Sequence, residues 1–210
     1  MLLIGDYLPN MVVQTTQGMK KIPEDYKGSW LILFSHLGDF TPVCTTEFVS
    51  FAKNMETFER LNTKLLGLSV DQVQPHIKWI EWIKDSLEQP ILFPIIADSL
   101  GRVASELGMV RPDKPTSVVR ATFIIDPTGK IRMILYYPAE VGRNMEEIIR
   151  ALVALQVADD NEVAVPANWP YNELIGDQVI IPPPTTVQEA EKVASMYSHY
   201  DWWFAYKPLE

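Results

Sequence analysis

The chain has 210 residues, of which 47% are hydrophobic and 21% charged, with a formal net charge of −9; that composition supports one domain with a proper core plus a small appendage and excludes bulk disorder. The acidic balance repels phosphate backbones and argues against a nucleic-acid partner. No apolar run approaches the roughly 18 residues a membrane span needs, and the single cysteine excludes an intrachain disulfide and a thiolate zinc cluster. Residues 1–10 lack the basic start and long apolar stretch of a signal peptide, so a cytoplasmic protein without membrane contact is expected. The three histidines, His36, His76 and His199, show no helical metal-pair spacing, and no metal is expected.

No internal repeat or low-complexity tract interrupts the chain. Trp30–Ser35 (WLILFS) is a short continuous apolar run that predicts a buried strand, followed by a turn over residues 36–42. Over residues 43–61 the pattern becomes helical, with Phe48, Phe51, Ala52, Met55 and Phe58 forming one apolar stripe. Residues 64–70 read as a second buried strand and Val73–Leu87 as a helix with Ile77, Ile80 and Ile83 inward. A shorter strand, interrupted by Pro94, is expected over residues 91–96. A brief helix over 99–107 then stops at Gly108. Residues 111–117, with two prolines, read as a loop. Two strands follow at 118–125 and 130–137, joined by the turn Asp126-Pro127-Thr128-Gly129, and then an amphipathic helix over 144–158. Alternating strands and helices with a closing hairpin predict an α/β domain with a mixed central sheet over residues 1–160. Residues 161–210 are proline-rich and then aromatic, too short to bury a core alone, and read as an arm packed on this domain or on a partner subunit.

The strongest local signal is Phe40-Thr41-Pro42-Val43-Cys44-Thr45-Thr46-Glu47-Phe48. Thr41 is a good N-cap and Pro42 suits the first helical position. Cys44 then lies in the first turn, where free N–H groups and the helix dipole favour a thiolate, the reactive nucleophile. Thr41 would aim its hydroxyl into the same pocket. Two bland or rival readings stand beside this one: a buried, inert cysteine, and a cysteine hydrolase with His36 as base. The G-x-S-x-G elbow is absent, since Gly67-Leu68-Ser69-Val70 runs into Asp71.

FTPVCTTEF resembles the active-site segment of peroxiredoxins, and SVDQVQPHIKWIEWI, VVRATFIIDPTGKIR and YYPAEVGRNMEEIIR are similar, in order, to the segments that follow it there. WPYNELIGDQVIIPPP and DWWFAYK resemble the C-terminal extension of the one-cysteine, peroxiredoxin 6-like subfamily, especially its archaeal members. The resemblance covers nearly the whole chain. It implies a thioredoxin-like fold with a C-terminal dimerisation arm, and a cofactor-free peroxidase that cycles through a cysteine sulfenic acid. It matches Cys44 to the peroxidatic cysteine, Thr41 to the residue that helps hold the peroxide, and Arg120 to the arginine that stabilises the thiolate and orients substrate. It matches Glu47 and Arg143 to residues that support this arginine, and His36 to a histidine beside the cysteine. The implied partners are hydrogen peroxide or an alkyl hydroperoxide, an external reductant (a small thiol or a thioredoxin-like protein), and further copies of the chain as homodimers in a ring-shaped decamer.

The chain departs from the family pattern in two places. Leu37 occupies the position of a proline seven residues before the cysteine, which frees φ and restores an N–H donor. Ala205 stands where archaeal relatives often carry a further cysteine, so no resolving thiol is present. Ser29-Trp30 resembles the serine site of a phospholipase activity found in some members, but Pro23 and Tyr137 stand where its histidine and aspartate would be, and no such activity is expected.

Overall fold

The computed structural model describes residues 2–111 and 114–209, the side chains of residues 111–117 left aside. The chain divides into two units, the first ending at Met145 and the second beginning at Glu146.

The first unit opens with a hairpin, β1 (Met11–Thr15) and β2 (Gly18–Ile22), that the sequence reading did not anticipate. It continues through β3 (Trp30–Ser35), α1 (Pro42–Lys53), α2 (Met55–Arg60), β4 (Thr63–Ser69), α3 (Val73–Leu87), β5 (Ile95–Ala97) and α4 (Arg102–Glu106). It ends with β6 (Val110–Arg111), β7 (Lys114–Val118), β8 (Arg120–Ile125) and β9 (Ile131–Tyr137). Seven strands form one sheet in the order β2-β1-β5-β4-β3-β8-β9. The β3–β4 and β4–β5 pairs are parallel and the other pairs antiparallel, so the central sheet is mixed, as expected. In the centre, Leu33 pairs with Phe123 and Phe34 with Thr122.

Several boundaries differ from expectation for local reasons. The single helix predicted over 43–61 is two, because the chain turns at Asn54, whose side-chain amide donates to Ser50 O at 2.8 Å. The strand expected from residue 91 starts only at Ile95, after Pro94, which has no N–H to give a ladder. Residues 111–117, expected as a loop, instead supply a two-stranded ladder of β6 and β7; residues 112–113 of that expected loop lie outside the described residues. The Asp126–Gly129 turn forms as read: Asp126 Oδ1 accepts from the N–H groups of Thr128 and Lys130, and Gly129 takes φ +91°, which favours glycine.

Strand alternation sorts the core into two layers. Leu31, Leu33, Ala121, Phe123 and Ile125 face a layer that includes Tyr26, Ala104 and Leu107. Phe34, on the opposite face of β3, stacks on Phe51 of α1 at 4.0 Å and meets Phe48 and Phe93 edge-on at 5.4 and 5.6 Å. Gly67 of β4 leaves room for this layer, since a Cβ there would stand 3.4 Å from the Phe48 ring.

The second unit holds α5 (Met145–Asn161), β10 (Val179–Ile180), α6 (Val187–Met196), β11 (Ser198–Asp201) and β12 (Phe204–Lys207). The three strands form a small antiparallel sheet ordered β10-β12-β11. Helix α6 starts with a capping box: Thr186 Oγ1 accepts from the Glu189 N–H while the Glu189 carboxylate accepts from that of Thr186. Tyr200, Phe204 and Tyr206 pack ring against ring, whereas Trp202 and Trp203 stay largely exposed and Ala205 is buried.

Replacing Phe34 with alanine would leave a ring-sized hole between β3 and α1. Urea unfolding should show a loss of about 3–5 kcal/mol.

Candidate active site

The site lies where β3 ends and α1 begins. Backbone N–H groups at a helix start lack partners within the helix. Thr41 is the N-cap of α1 with extended backbone and Pro42 occupies the first turn, as read from the sequence. The side chain of Thr41 does not cap, however: its hydroxyl donates to Gly38 O at 2.8 Å, so the oxygen keeps its accepting capacity. Phe40, just before it, is held at φ +56° with its ring exposed.

Along α1, Cys44, Glu47, Phe48 and Phe51 are all buried, and the spacing of three, four and seven residues places them on one helix face. The same face of the sheet carries Arg120 and Thr122, because they alternate on β8 with inward-pointing Ala121 and Phe123 of the other layer. Helix and strand therefore deliver the thiol, a carboxylate and a guanidinium to one buried place.

Arg120 Nη1 donates to Cys44 Sγ at 3.7 Å and also to Glu47 Oε2 in a short contact. Its Nη2 donates to Ala139 O at 3.1 Å. Arg143 holds the other side of the same carboxylate: its N–H donates to Glu47 Oε1 at 2.8 Å and its Nη1 to Glu47 Oε2 at 2.7 Å. The rest of the Arg143 guanidinium is taken up by Thr122 Oγ1 at 2.7 Å, Ala121 O at 2.7 Å and Ser35 O. Burial pulls Arg143 down to about 10 despite the adjacent Glu47 carboxylate. Arg120, Glu47 and Arg143 are all buried.

His36 stands apart from this ion network. Its ring is fully buried, stacks on Trp79 at 5.2 Å and meets Phe48 at 4.8 Å. Its Nε2 lies 2.9 Å from Asp39 Oδ1, and Asp39 also takes His76 Nδ1 at 2.7 Å. His76 Nε2 faces Ile96 O at 3.2 Å. Asp71, after β4, accepts from the Asp39 N–H at 3.0 Å and from Ser69 Oγ at 2.7 Å. Burial holds His36 below the ordinary imidazole range, offset only in part by Asp39. Burial alone would raise Asp39, but the hydrogen bonds from His36 and His76 hold it below the ordinary carboxylate range. The sequence reading missed Asp39, Asp71 and His76, because partners 32 and 37 residues apart leave no periodic trace. These four side chains are the ones among the described residues whose ligand types could converge on a metal, their donor atoms all within 4.8 Å of one another. Hydrogen bonds join most of these atoms to one another or to their neighbours.

Ser29, the residue resembling a phospholipase serine, donates to Asn62 Oδ1 at 3.1 Å on the surface. No described helix is long and apolar enough to cross a membrane.

Residues 4–134 match the model of the AhpC/TSA family, and residues 154–194 that of the C-terminal domain of 1-Cys peroxiredoxin. A peroxiredoxin of Thermotoga maritima is 58% identical over 99% of this chain and 97% of its own, and one of Ignicoccus hospitalis is 60% identical over 98% and 88%. Among solved structures, a yeast mitochondrial 1-Cys peroxiredoxin superposes with a TM-score of 0.87 at 39% identity, covering 99% of both chains. Peroxiredoxin 6 of Arenicola marina, a cysteine-to-serine mutant, gives 0.88 at 32% identity over 100% and 99%.

Two outcomes follow from the buried charges. Glu47→Gln leaves Arg120 and Arg143 side by side without a counter-charge, and chemical denaturation should register a loss of about 3–5 kcal/mol. Unfolded His36 takes a proton near 6.5, whereas the folded ring resists it to lower pH. The unfolded state therefore binds more protons in that window, and the unfolding free energy should fall as pH drops below about 6.5.

Proposed function

The chain belongs to the peroxiredoxin family and is a thiol-dependent hydroperoxide reductase, and on that premise we propose that Cys44 is its peroxidatic nucleophile and passes through a sulfenic acid. The observation that carries this reading is the Arg120 guanidinium donating to the Cys44 sulfur while Glu47 and Arg143 lock it in place.

In the first half-reaction the Cys44 sulfur attacks the terminal oxygen of the hydroperoxide. The O–O bond breaks, water or an alcohol leaves with a proton, and Cys44–SOH remains. Arg120 stabilises the sulfur anion before attack and the charge that develops on the oxygens during it. Thr41, whose own proton is engaged by Gly38 O, accepts a hydrogen bond from the substrate O–H. Glu47 and Arg143 do not touch the substrate; they fix the direction in which Arg120 points. An apolar hollow beside Thr41 and Pro42, lined by Phe40, Trp79, Trp82 and Leu87, suits the organic part of an alkyl hydroperoxide.

In the second half-reaction an external thiol, from a small molecule or a thioredoxin-like protein, attacks the sulfenic sulfur, and a second reducing equivalent frees Cys44. No other cysteine is present to intercept the sulfenic acid, so excess peroxide carries it on to the sulfinic acid. Cys44 is fully buried, so the first turn of α1 must open for a bulky reductant. The exposed aromatics of the second unit, Tyr200, Trp202 and Trp203, favour pairing of chains into homodimers and a ring of ten. The expected compartment is the cytoplasm.

Stopped-flow mixing with hydrogen peroxide, read by tryptophan fluorescence and by mass spectrometry for one added oxygen, tests this reading. The wild type should react orders of magnitude faster than free cysteine and turn over only with added thiol. Cys44→Ser should be inert, and Arg120→Gln should slow the reaction about 100-fold, the usual cost of removing a charge-stabilising donor. A wild-type rate like that of free cysteine would sink the reading.

A further inference from the structure

Strands β3 and β8 pair from Leu31 with Ile125 as far as Phe34 with Thr122, and one step further the register would bring Ser35 opposite Ala121. The ladder stops short of that step, and side chains take its place. The carbonyls of Ser35 and Ala121 both accept from Arg143 Nη2, the second at 2.7 Å. The Ser35 hydroxyl donates to Val119 O at 2.6 Å and accepts from the Ala121 N–H at 3.0 Å. Ser35 is fully buried. A hydroxyl enclosed without partners is costly, and here both its donor and its acceptor roles are used. Its two partners stand on either side of one residue, Arg120.

We propose that Ser35 is a positioning residue of the peroxidase: its hydroxyl clamps the main chain on both sides of Arg120 and so sets the direction in which that side chain leaves β8 for the Cys44 sulfur. This rests on the peroxidase reading above. A peptide unit is planar, so a residue's direction is set by the two planes that flank its Cα. The Val119 carbonyl belongs to the plane before Arg120, and the Ala121 N–H to the plane after it. One hydroxyl that holds both therefore fixes φ and ψ of Arg120. The main chain is sharply bent here, because Ala121 N also donates to Val119 O at 3.1 Å and closes a three-residue turn around Arg120. On one side Arg120 pairs with Tyr137 of β9, but Val119 lies outside both β7 and β8. Toward β3 the hydroxyl supplies the link that the ladder does not. The far end of the Arg120 side chain is held separately, by Glu47 and by Ala139 O. Between these anchors its Nε has no partner among the described residues. The approach of Nη1 to Cys44 Sγ thus depends on both ends, the carboxylate at the guanidinium and the serine at the main chain.

The test is a double-mutant cycle on the intact chain, read as the rate of Cys44 oxidation by hydrogen peroxide. Ser35→Ala removes the clamp and leaves every charge in place. It should slow oxidation by about 10-fold or more, since a misplacement near 1 Å already costs up to roughly 100-fold. Arg120→Gln should cost about 100-fold, as above. Because Ser35 acts through Arg120, the double variant should be no slower than Arg120→Gln alone. Ser35→Thr keeps the hydroxyl and should retain most of the wild-type rate. Ser35→Val, of the same shape without the hydroxyl, should fall to the level of Ser35→Ala. Urea unfolding of each variant separates losses of stability from losses of rate. A Ser35→Ala variant that is destabilised yet oxidises at the wild-type rate would overturn the proposal. So would equal losses from Ser35→Ala in the wild type and in Arg120→Gln. If Ser35→Ala and Ser35→Val fail to fold, Ser35→Thr decides: a rate as low as that of Arg120→Gln would overturn the proposal. A wild type that reacts no faster than free cysteine would overturn the peroxidase reading and this proposal with it, whereas a fast wild type matched by Ser35→Ala overturns this proposal alone.

Discussion

One carboxylate organises the centre of the first unit. Glu47, buried on α1, accepts from the guanidinium of Arg120 on β8 and from both the main chain and the guanidinium of Arg143. Three charges enclosed this way are costly to desolvate, and their mutual attraction offsets that cost only when the remaining donors also find acceptors. Most of them do so, at Ala139 O, Thr122 Oγ1, Ala121 O and Ser35 O, while Arg120 Nε has no acceptor among the described residues. The outcome is directional: Arg120 is held with one nitrogen toward the Cys44 sulfur. Helix, strand and the segment before α5 are thereby tied beside the Cys44 sulfur.

The second tie lies at the ends of the parallel strands. β3 leads into His36 and Asp39, β4 leads into Asp71, and α3 brings His76 between them. Ligands and reactive groups in open α/β sheets collect at such strand ends, because the chain leaves the sheet there and helix N-termini point toward the gap. Here the gap receives a helix start carrying the thiol. Two networks of different character then lie near the start of α1: an ionic one that turns positive charge toward Cys44, and a histidine–aspartate one packed on Phe48 and Trp79.

The apolar layer explains why these groups keep their places. Phe34 lies between the stacked Phe51 ring and the Arg143 guanidinium, which sits 5.5 Å from its centre. Trp79 stacks on His36 and donates to Thr45 Oγ1 at 3.3 Å. Arg143 and His36 are therefore each packed on an aromatic ring, and Glu47 is bonded to Arg143.

Much of this was legible in the chain itself. The apolar run at Trp30–Ser35, the stripe from Phe48 to Phe58, and the Thr41–Pro42 start before Cys44 are local patterns, and local patterns are fixed by backbone geometry and the period of burial. They were enough to place the thiol on a helix start and Arg120 inside a strand. The break at Asn54, the late start of β5 and the N-terminal hairpin needed the folded chain, since neighbouring segments decide them. So did the partners of Glu47 and Arg143, 96 residues apart, and the meeting of His36 with His76, which no spacing reveals. Sequence alone determined which elements carry the cysteine, Glu47 and Arg120. Tertiary structure decided which charges face one another, because pairing between distant segments is set by sheet order and helix packing.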